Sequence, residues 1–153
     1  MTGTVEAKLA ALGITIPAAS APAANYVPFV ITGNLLWISG QISMANGSFM
    51  TGKLSGEADI EGGRAAARQC AINLIAQIKA ALGDLDRVKR VVKLVGFVNS
   101  APDFTDQPKV VNGCSDLFVE VFGDAGRHAR SAVGVAQLPF NVSVEVEAVI
   151  EFA

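Results

Sequence analysis

The stretch ARSAVGVAQLPFNVSVEVEAVIEF, residues 129–152, carries the pattern that decides the fold. Successive side chains of a β-strand point to opposite faces of its sheet, so residues two apart share a face. The second half of the stretch separates into an apolar set and a set with three glutamates: Val144, Val146, Ala148, Ile150 and Phe152 against Glu145, Glu147, Val149 and Glu151. The apolar set predicts a face buried under helices, and the glutamates are compatible with simple exposure to solvent.

The first half of the stretch predicts a second strand, in which Arg130 shares a face with small residues such as Ala132. If the LPFN segment, residues 138–141, is the turn of a hairpin, Gly134 lies opposite Glu145 and Arg130 joins the glutamate face. A slip of one residue would move every side chain to the other face and reverse this assignment. The register therefore predicts an arginine and several carboxylates around a shallow concavity of small side chains.

An arginine on such a face has two interpretations. Arg130 can pair with Glu147 across the strands, an interaction that contributes at most about 1 kcal/mol when it is exposed. Alternatively, its planar guanidinium can hold a ligand carboxylate through two parallel hydrogen bonds. The spacing of the residues leaves both interpretations open.

The earlier part of the chain predicts the remaining helices and strands from hydrophobic periodicity and glycine stops. The predicted elements are a short helix at 4–12, a hairpin over 26–43 that turns at Gly33-Asn34, a loop at 46–56, a helix at 60–83, a strand at 87–99 and a helix at 106–122. The resulting β-β-α-β-α-β-β order indicates an α+β fold, a mixed sheet with both main helices on one face and the other face uncovered. We expect residues 1–153 to form one domain, with residues 1–20 as an N-terminal extension that carries the short helix.

Composition narrows the classes of function. The chain has 153 residues, of which 51% are hydrophobic and 17% charged, as expected for one compact domain with surface to bury against another copy. The formal net charge of −2 without a basic stripe argues against nucleic-acid binding, and no apolar run is long enough to predict a membrane span. Two distant cysteines and one histidine predict no metal site, and buried free thiols are typical of a reducing cytoplasm.

Several segments together resemble the RidA/YjgF family of enamine/imine deaminases. The segments are ARSAVGVAQLPFNVSVEVEA, NYVPFV and TGNLLWISGQI, VVKLVGFVNSAPDF, and VVN, which place the resemblance over about residues 22–152. The resemblance implies a fold like that of the trimeric type of chorismate mutase, a homotrimer, and a cleft at each subunit interface. It also implies hydrolysis of 2-enamine and 2-imino acids to 2-keto acids and ammonia, with no cofactor and a small carboxylate-bearing metabolite as the partner.

The resemblance also assigns site residues. Arg130 matches the arginine that grips the substrate carboxylate, and Glu145 matches the carboxylate proposed to position the hydrolytic water. Four further residues match positions that line the cleft: Tyr26, Ser39, Gly40 and Asn112.

Two positions depart from the pattern of the family. Ala132, also expected to line the cleft, stands where these deaminases often have cysteine, and His128 stands where they usually have proline. We expect His128 to be an exposed loop residue. These departures leave room for an alternative function, a non-catalytic trimer that binds a small carboxylate metabolite in the same cleft. The net negative charge predicts no basic surface that would bind the phosphates of RNA. Ribonuclease activity is therefore less favoured than imine deamination or carboxylate binding.

Overall fold

A five-stranded mixed sheet carries two long helices on one face in the computed structural model, which describes residues 3–153. The strands are β1 (Phe29–Thr32), β2 (Leu35–Ile42), β3 (Met44–Ala45), β4 (Ser48–Phe49), β5 (Val88–Asn99), β6 (Ala129–Val135) and β7 (Val144–Phe152). The helices are α1 (Thr4–Ala11), α2 (Ile60–Leu82) and α3 (Gln107–Phe122). The predicted fold class is confirmed, including the short N-terminal helix. The predicted loop at 46–56 is wrong in one part, because β4 pairs with β3 in a separate two-stranded hairpin.

The order of strands in the main sheet is β1-β2-β7-β5-β6. The β1–β2 hairpin turns at Gly33-Asn34, as predicted, with Thr32 opposite Leu35. β6 runs parallel to β5 after the α3 crossover, whereas the other neighbours are antiparallel. The predicted hairpin between β6 and β7 is therefore wrong, since β5 lies between them. A parallel pair needs a long crossover, which α3 supplies, and β7 then inserts between β2 and β5 with both of its edges paired.

This strand order also overturns the predicted face of Arg130. Arg130 is in register with Leu94 of β5, and Leu94 is in register with Ala148 of β7. Residues in register share a face, and Leu94 and Ala148 are buried in the core under the helices. Arg130 therefore lies on the helix-covered face, and Glu145, in register with Phe97, lies on the opposite face.

The core fills the space between the helices and the sheet. Cys70 of α2 and Cys114 of α3 are fully buried free thiols, as predicted, and burial raises the pKa of both. The two helices cross closely at Gly113, where an added Cβ would lie 2.1 Å from the carbonyl oxygen of Arg64. This contact leaves no room for a side chain and sets how the helices lie on the sheet.

The N-terminal extension packs against this core. Asp86 accepts hydrogen bonds from the backbone N–H groups of Thr4 (2.8 Å) and Val5 (2.9 Å), so a side chain from the turn between α2 and β5 caps α1. The chain then runs from Gly13 to Tyr26 without regular structure, and its Ser20 carbonyl accepts a bond from Gln77 of α2 at 3.0 Å. Glu6 of α1 also pairs with Lys79 of α2, so polar contacts fasten the extension at three points.

The sheet face opposite the helices is uncovered in the single chain, as predicted. Large apolar side chains are exposed there and at the adjoining edge, including Val30 (53%), Trp37 (51%) and Val133 (42%). None of the helices within residues 3–153 combines the length and the apolar character needed to cross a bilayer.

Candidate functional site

Glu145 lies beside an irregularity in the pairing of β2 with β7. Ile38 pairs with Ala148 and Gln41 pairs with Val146, so Ser39 and Gly40 together stand opposite Glu147. Two residues against one make a β-bulge, a feature that redirects side chains and is common beside active sites. A Cβ on Gly40 would lie 2.4 Å from Oε1 of Glu145. Glycine at this position therefore allows the carboxylate to rest against the bulge.

The environment of Glu145 changes its acidity. The side chain is half-buried, and loss of solvation raises its pKa above the ordinary value, with the negative charge of Glu147 acting in the same direction. A carboxyl group with a raised pKa holds a proton more readily near neutral pH. Glu145 is therefore suited to accept a proton and return it.

A cavity of about 470 Å³ opens beside Glu145. Tyr26 and Gly40 line it together with Glu145, so the structure brings together three of the residues that the sequence assigned to a site. Ser39 does not line this cavity. Its hydroxyl donates a hydrogen bond of 2.7 Å to the carbonyl oxygen of Val27, which fastens the segment before β1 to the bulge.

Arg130 and Asn112 form a second group on the other face of the sheet. Nη1 of Arg130 donates to Oδ1 of Asn112 at 2.8 Å and to Oγ of Ser115 at 3.1 Å, and Nη2 points to the Pro108 carbonyl at 3.4 Å. Within residues 3–153, no carboxylate lies within ion-pairing distance of this guanidinium. The salt bridge with Glu147 is therefore absent. Ala132, two residues further along the same face, packs against the core.

His128 belongs to the same group; it lies in the loop before β6, as predicted, but the prediction that it is exposed is wrong. It is half-buried, and its Nδ1 lies 2.6 Å from the Gly126 carbonyl oxygen, which requires the proton to be on Nδ1. Nε2 then accepts the hydroxyl proton of Ser115 at 2.9 Å, and the Ser115 oxygen is left to accept from Arg130. Burial lowers the pKa of His128; the bond to the Gly126 carbonyl acts in the opposite direction, and the nearby charge of Arg130 lowers the pKa further.

Ser115 is the residue that sequence reasoning missed. It lies three residues after Asn112 on α3, so both side chains share one face of the helix and reach the same guanidinium. The three-residue spacing from Asn112 could have indicated Ser115 as a further residue of the site. The partnership of Ser115 with His128 had no such signal, because it depends on how the end of α3 packs against the start of β6.

One chain does not bring Arg130 and Glu145 together. They lie on opposite faces of the sheet, on the edge strand β6 and on the inner strand β7. The chain thus carries two half-sites, an arginine half-site at the β6 edge and a carboxylate half-site in the cavity beside Gly40. Across the described part of the chain, His, Cys, Asp and Glu side chains do not gather in groups that would hold a metal ion.

Residues 6–152 match the family described as "YjgF/chorismate mutase-like, putative endoribonuclease". The chain belongs to this RidA/YjgF family. Protein TCP17 of Trypanosoma cruzi is 57% identical over 98% of this chain and 95% of its own length. A 2-iminobutanoate/2-iminopropanoate deaminase of Escherichia coli is 36% identical over 88% of this chain and 94% of its own length. The crystal structure of Atu1372 from Agrobacterium tumefaciens has a TM-score of 0.90 and 50% identity, covering 98% of this chain and 94% of that one.

Membership of the RidA/YjgF family confirms the resemblance drawn from the sequence. The names of the relatives differ in what they say about activity, since one states imine deamination, one gives no activity, and the family description mentions an endoribonuclease. The choice between these activities for this member of the family depends on its own side chains.

Proposed function

We propose that this RidA/YjgF protein hydrolyses reactive 2-imino acids, and the 2-enamine acids that tautomerise to them, to 2-keto acids and ammonia. The observation that carries the proposal is the set of hydrogen-bond partners of Arg130. Its guanidinium is held by three uncharged oxygens and faces no carboxylate within the described residues. A positioned arginine without a counter-ion is a receptor for a ligand carboxylate, which every 2-imino acid carries. The activity in the name of the Escherichia coli relative supports the same substrate class.

The site proposed here is completed by a second copy of the chain. Arg130 lies on the exposed edge strand of the sheet, and the uncovered sheet face presents large apolar side chains that a partner would bury. A homotrimer with cyclic symmetry lets each β6 edge meet the cavity of the next subunit, so that every interface has one arginine half-site and one carboxylate half-site.

The proposed reaction needs few groups. Arg130 holds the substrate carboxylate and orients the imine over Glu145. Glu145 accepts a proton from water as the water oxygen bonds to the imine carbon, and it returns the proton to the nitrogen. The carbinol hydroxyl then passes its proton by way of Glu145 to the amino nitrogen. The carbon–nitrogen bond breaks as the oxygen forms its double bond to carbon, and ammonia leaves together with the 2-keto acid. A positioned acid–base group of this kind contributes about 10²–10⁴-fold in rate.

The reaction draws only on groups of the chain and on water. An imine carbon is already electrophilic, so orientation and proton transfer are sufficient for acceleration. Ala132 leaves this scheme intact, because no step requires a thiol at that position. It widens the space next to Arg130 relative to a cysteine.

The test is a deaminase assay with 2-aminoacrylate generated enzymatically in the cuvette. We expect the wild-type protein to accelerate release of pyruvate and ammonia, and we expect Arg130→Ala to lose at least about 100-fold in kcat/KM. Arg127→Ala is the matched control, because Arg127 is exposed and bonds only to Asp124 among the described residues. An unchanged rate for Arg130→Ala would refute the role given to this arginine.

The same assay, together with a measurement of pyruvate binding, distinguishes deamination from the alternative function. Binding of pyruvate that depends on Arg130, without acceleration of any imine hydrolysis, would identify the protein as a non-catalytic carboxylate-binding trimer. Light scattering on the same samples measures the number of copies in the assembly.

A further inference from the structure

We propose that the cavity beside Glu145 selects substrates with a large apolar side chain, such as the imino acids that correspond to leucine and phenylalanine. The inference rests on the proposed function, since it names the substrate class of that site. It goes beyond the imines with three- and four-carbon chains that the name of the Escherichia coli relative gives.

The size of the cavity is the first observation. Pockets that bury ligands of drug size have volumes of roughly 300–1,000 Å³. The cavity, at about 470 Å³, falls in this range. The imine of pyruvate has a single methyl group beyond its reacting carbon and carboxylate, and it would leave most of this space filled by water. A branched or aromatic side chain would fill it.

The chemistry of the walls is the second observation. Glu145 is the one lining residue among those described that carries a formal charge at neutral pH, and most of the wall is carbon. Ile42, Met44, Phe49 and Phe140 supply large apolar side chains to the lining. Burial of each additional methylene of a ligand against such walls favours binding.

The two amide side chains on the wall are engaged within the protein. Asn73 donates to the carbonyl oxygens of Ile42 and Met44 at 3.1 and 3.0 Å, and its own oxygen accepts from Gln69 at 3.1 Å. Gln41 donates to the Ser39 carbonyl at 3.0 Å. A polar substrate side chain would lose its water here and find few free partners, which disfavours it.

The walls are held in position by contacts outside the cavity. The rings of Phe49 and Phe140 stack with centroids 4.8 Å apart and an angle of 10° between their planes, which joins the β3–β4 hairpin to the segment before β7. The linker of small residues at 20–24 also lines the cavity, and the bond from Gln77 to the Ser20 carbonyl fastens it to α2. Two parts of the lining are therefore held in place before a ligand arrives.

The test compares imines generated by an amino-acid oxidase from alanine, leucine and phenylalanine, and it measures binding of the corresponding 2-keto acids by calorimetry. We expect kcat/KM for the leucine-derived imine to exceed that for the alanine-derived imine by at least about tenfold. Phe140→Ala should reduce this ratio, because it removes an apolar wall whose side chain is 58% exposed and carries little of the fold. Leu12→Ala, a similarly exposed site outside the cavity, should leave the ratio unchanged.

Failure of this inference is distinguishable from failure of the proposed function. Hydrolysis of all three imines at equal efficiency would overturn the selectivity and leave deamination standing. Tenfold tighter binding of 4-methyl-2-oxopentanoate than of pyruvate, without hydrolysis, would support the apolar pocket and overturn deamination. Equal binding without hydrolysis would overturn both.

Discussion

Replacement of Gly40 by alanine tests whether the position of the Glu145 carboxylate against the β-bulge matters for activity. A Cβ on Gly40 would lie 2.4 Å from Oε1 of Glu145, 3.0 Å from its Cδ and 3.1 Å from its Cγ. The backbone of Gly40 has no positive φ, so alanine fits the local conformation. The clash falls on the end of a flexible side chain, which can turn away. The variant should therefore fold, with its carboxylate displaced.

The size of the displacement follows from these distances. Ordinary contact begins at 3.4 Å, so Oε1 must move by 3.4 − 2.4, or about 1.0 Å. Misplacement of a reacting group by about 1 Å costs roughly 100-fold in rate when catalysis depends on orientation. We expect Gly40→Ala to lower kcat on imino acids by about this factor, with a melting temperature close to that of the wild type.

The control for Gly40→Ala is Gly62→Ala, because nothing lies within 4 Å of a Cβ built on Gly62 in α2. Alanine in a helix interior is more favourable than glycine by about 0.5–1 kcal/mol, so this variant should be slightly more stable and fully active. Steady-state kinetics and thermal unfolding of both variants decide the question. Full activity of a folded Gly40→Ala protein would show that the position of Glu145 does not limit the reaction.

Two further variants probe the charges of the half-sites. Burial raises the pKa of Glu145, so the ionised side chain lowers the stability of the fold at pH values above its ordinary pKa of 4.5. The melting temperature of Glu145→Gln should therefore exceed that of the wild type at pH 7–8, and the difference should shrink toward pH 4.5. An equal difference at both pH values would contradict this account. Ser115→Ala should raise KM about tenfold with a smaller change in kcat, the effect of losing one hydrogen bond to a charged group, and Ser115→Thr should restore it. A fall in kcat alone would argue against a positioning role.

The sequence was sufficient to predict the helices, the strands of the main sheet and the two faces of β7, but it did not reveal the β3–β4 hairpin. The alternation from Val144 to Phe152 is a local property of one strand, and the glycine after α2 ends that helix at the predicted residue. The pairing of β6 was not predictable in the same way, because alternation says which residues share a face and nothing about which strand lies alongside. The parallel position of β6 next to β5 is set by the packing of α3, to which Gly113 contributes its close contact with α2.

The candidate site shows the same difference between what a local pattern predicts and what depends on tertiary packing. Arg130 and Glu145 were identifiable from the resemblance, and Tyr26, Gly40 and Asn112 lie where they can serve one half-site or the other. Their separation onto two faces required the strand order. The bonds from Ser115 to His128 and Arg130 required the packing of a helix end on a strand, which no short-range pattern encodes.

The attachment of the N-terminal extension has a consequence for how such a cavity can diversify. Part of the wall is a run of small residues at 20–24, and the extension is fastened by bonds from α1 to Asp86, by the ion pair of Glu6 with Lys79 and by the bond of Gln77 to the Ser20 carbonyl. This segment takes no part in the hydrogen bonds between strands, so changes in its length or bulk would leave the sheet and both half-sites in place. If the proposed function holds, the residues assigned to the reaction and the segment that helps to set the size of the ligand belong to different parts of the chain, and the second can vary in length without moving the first.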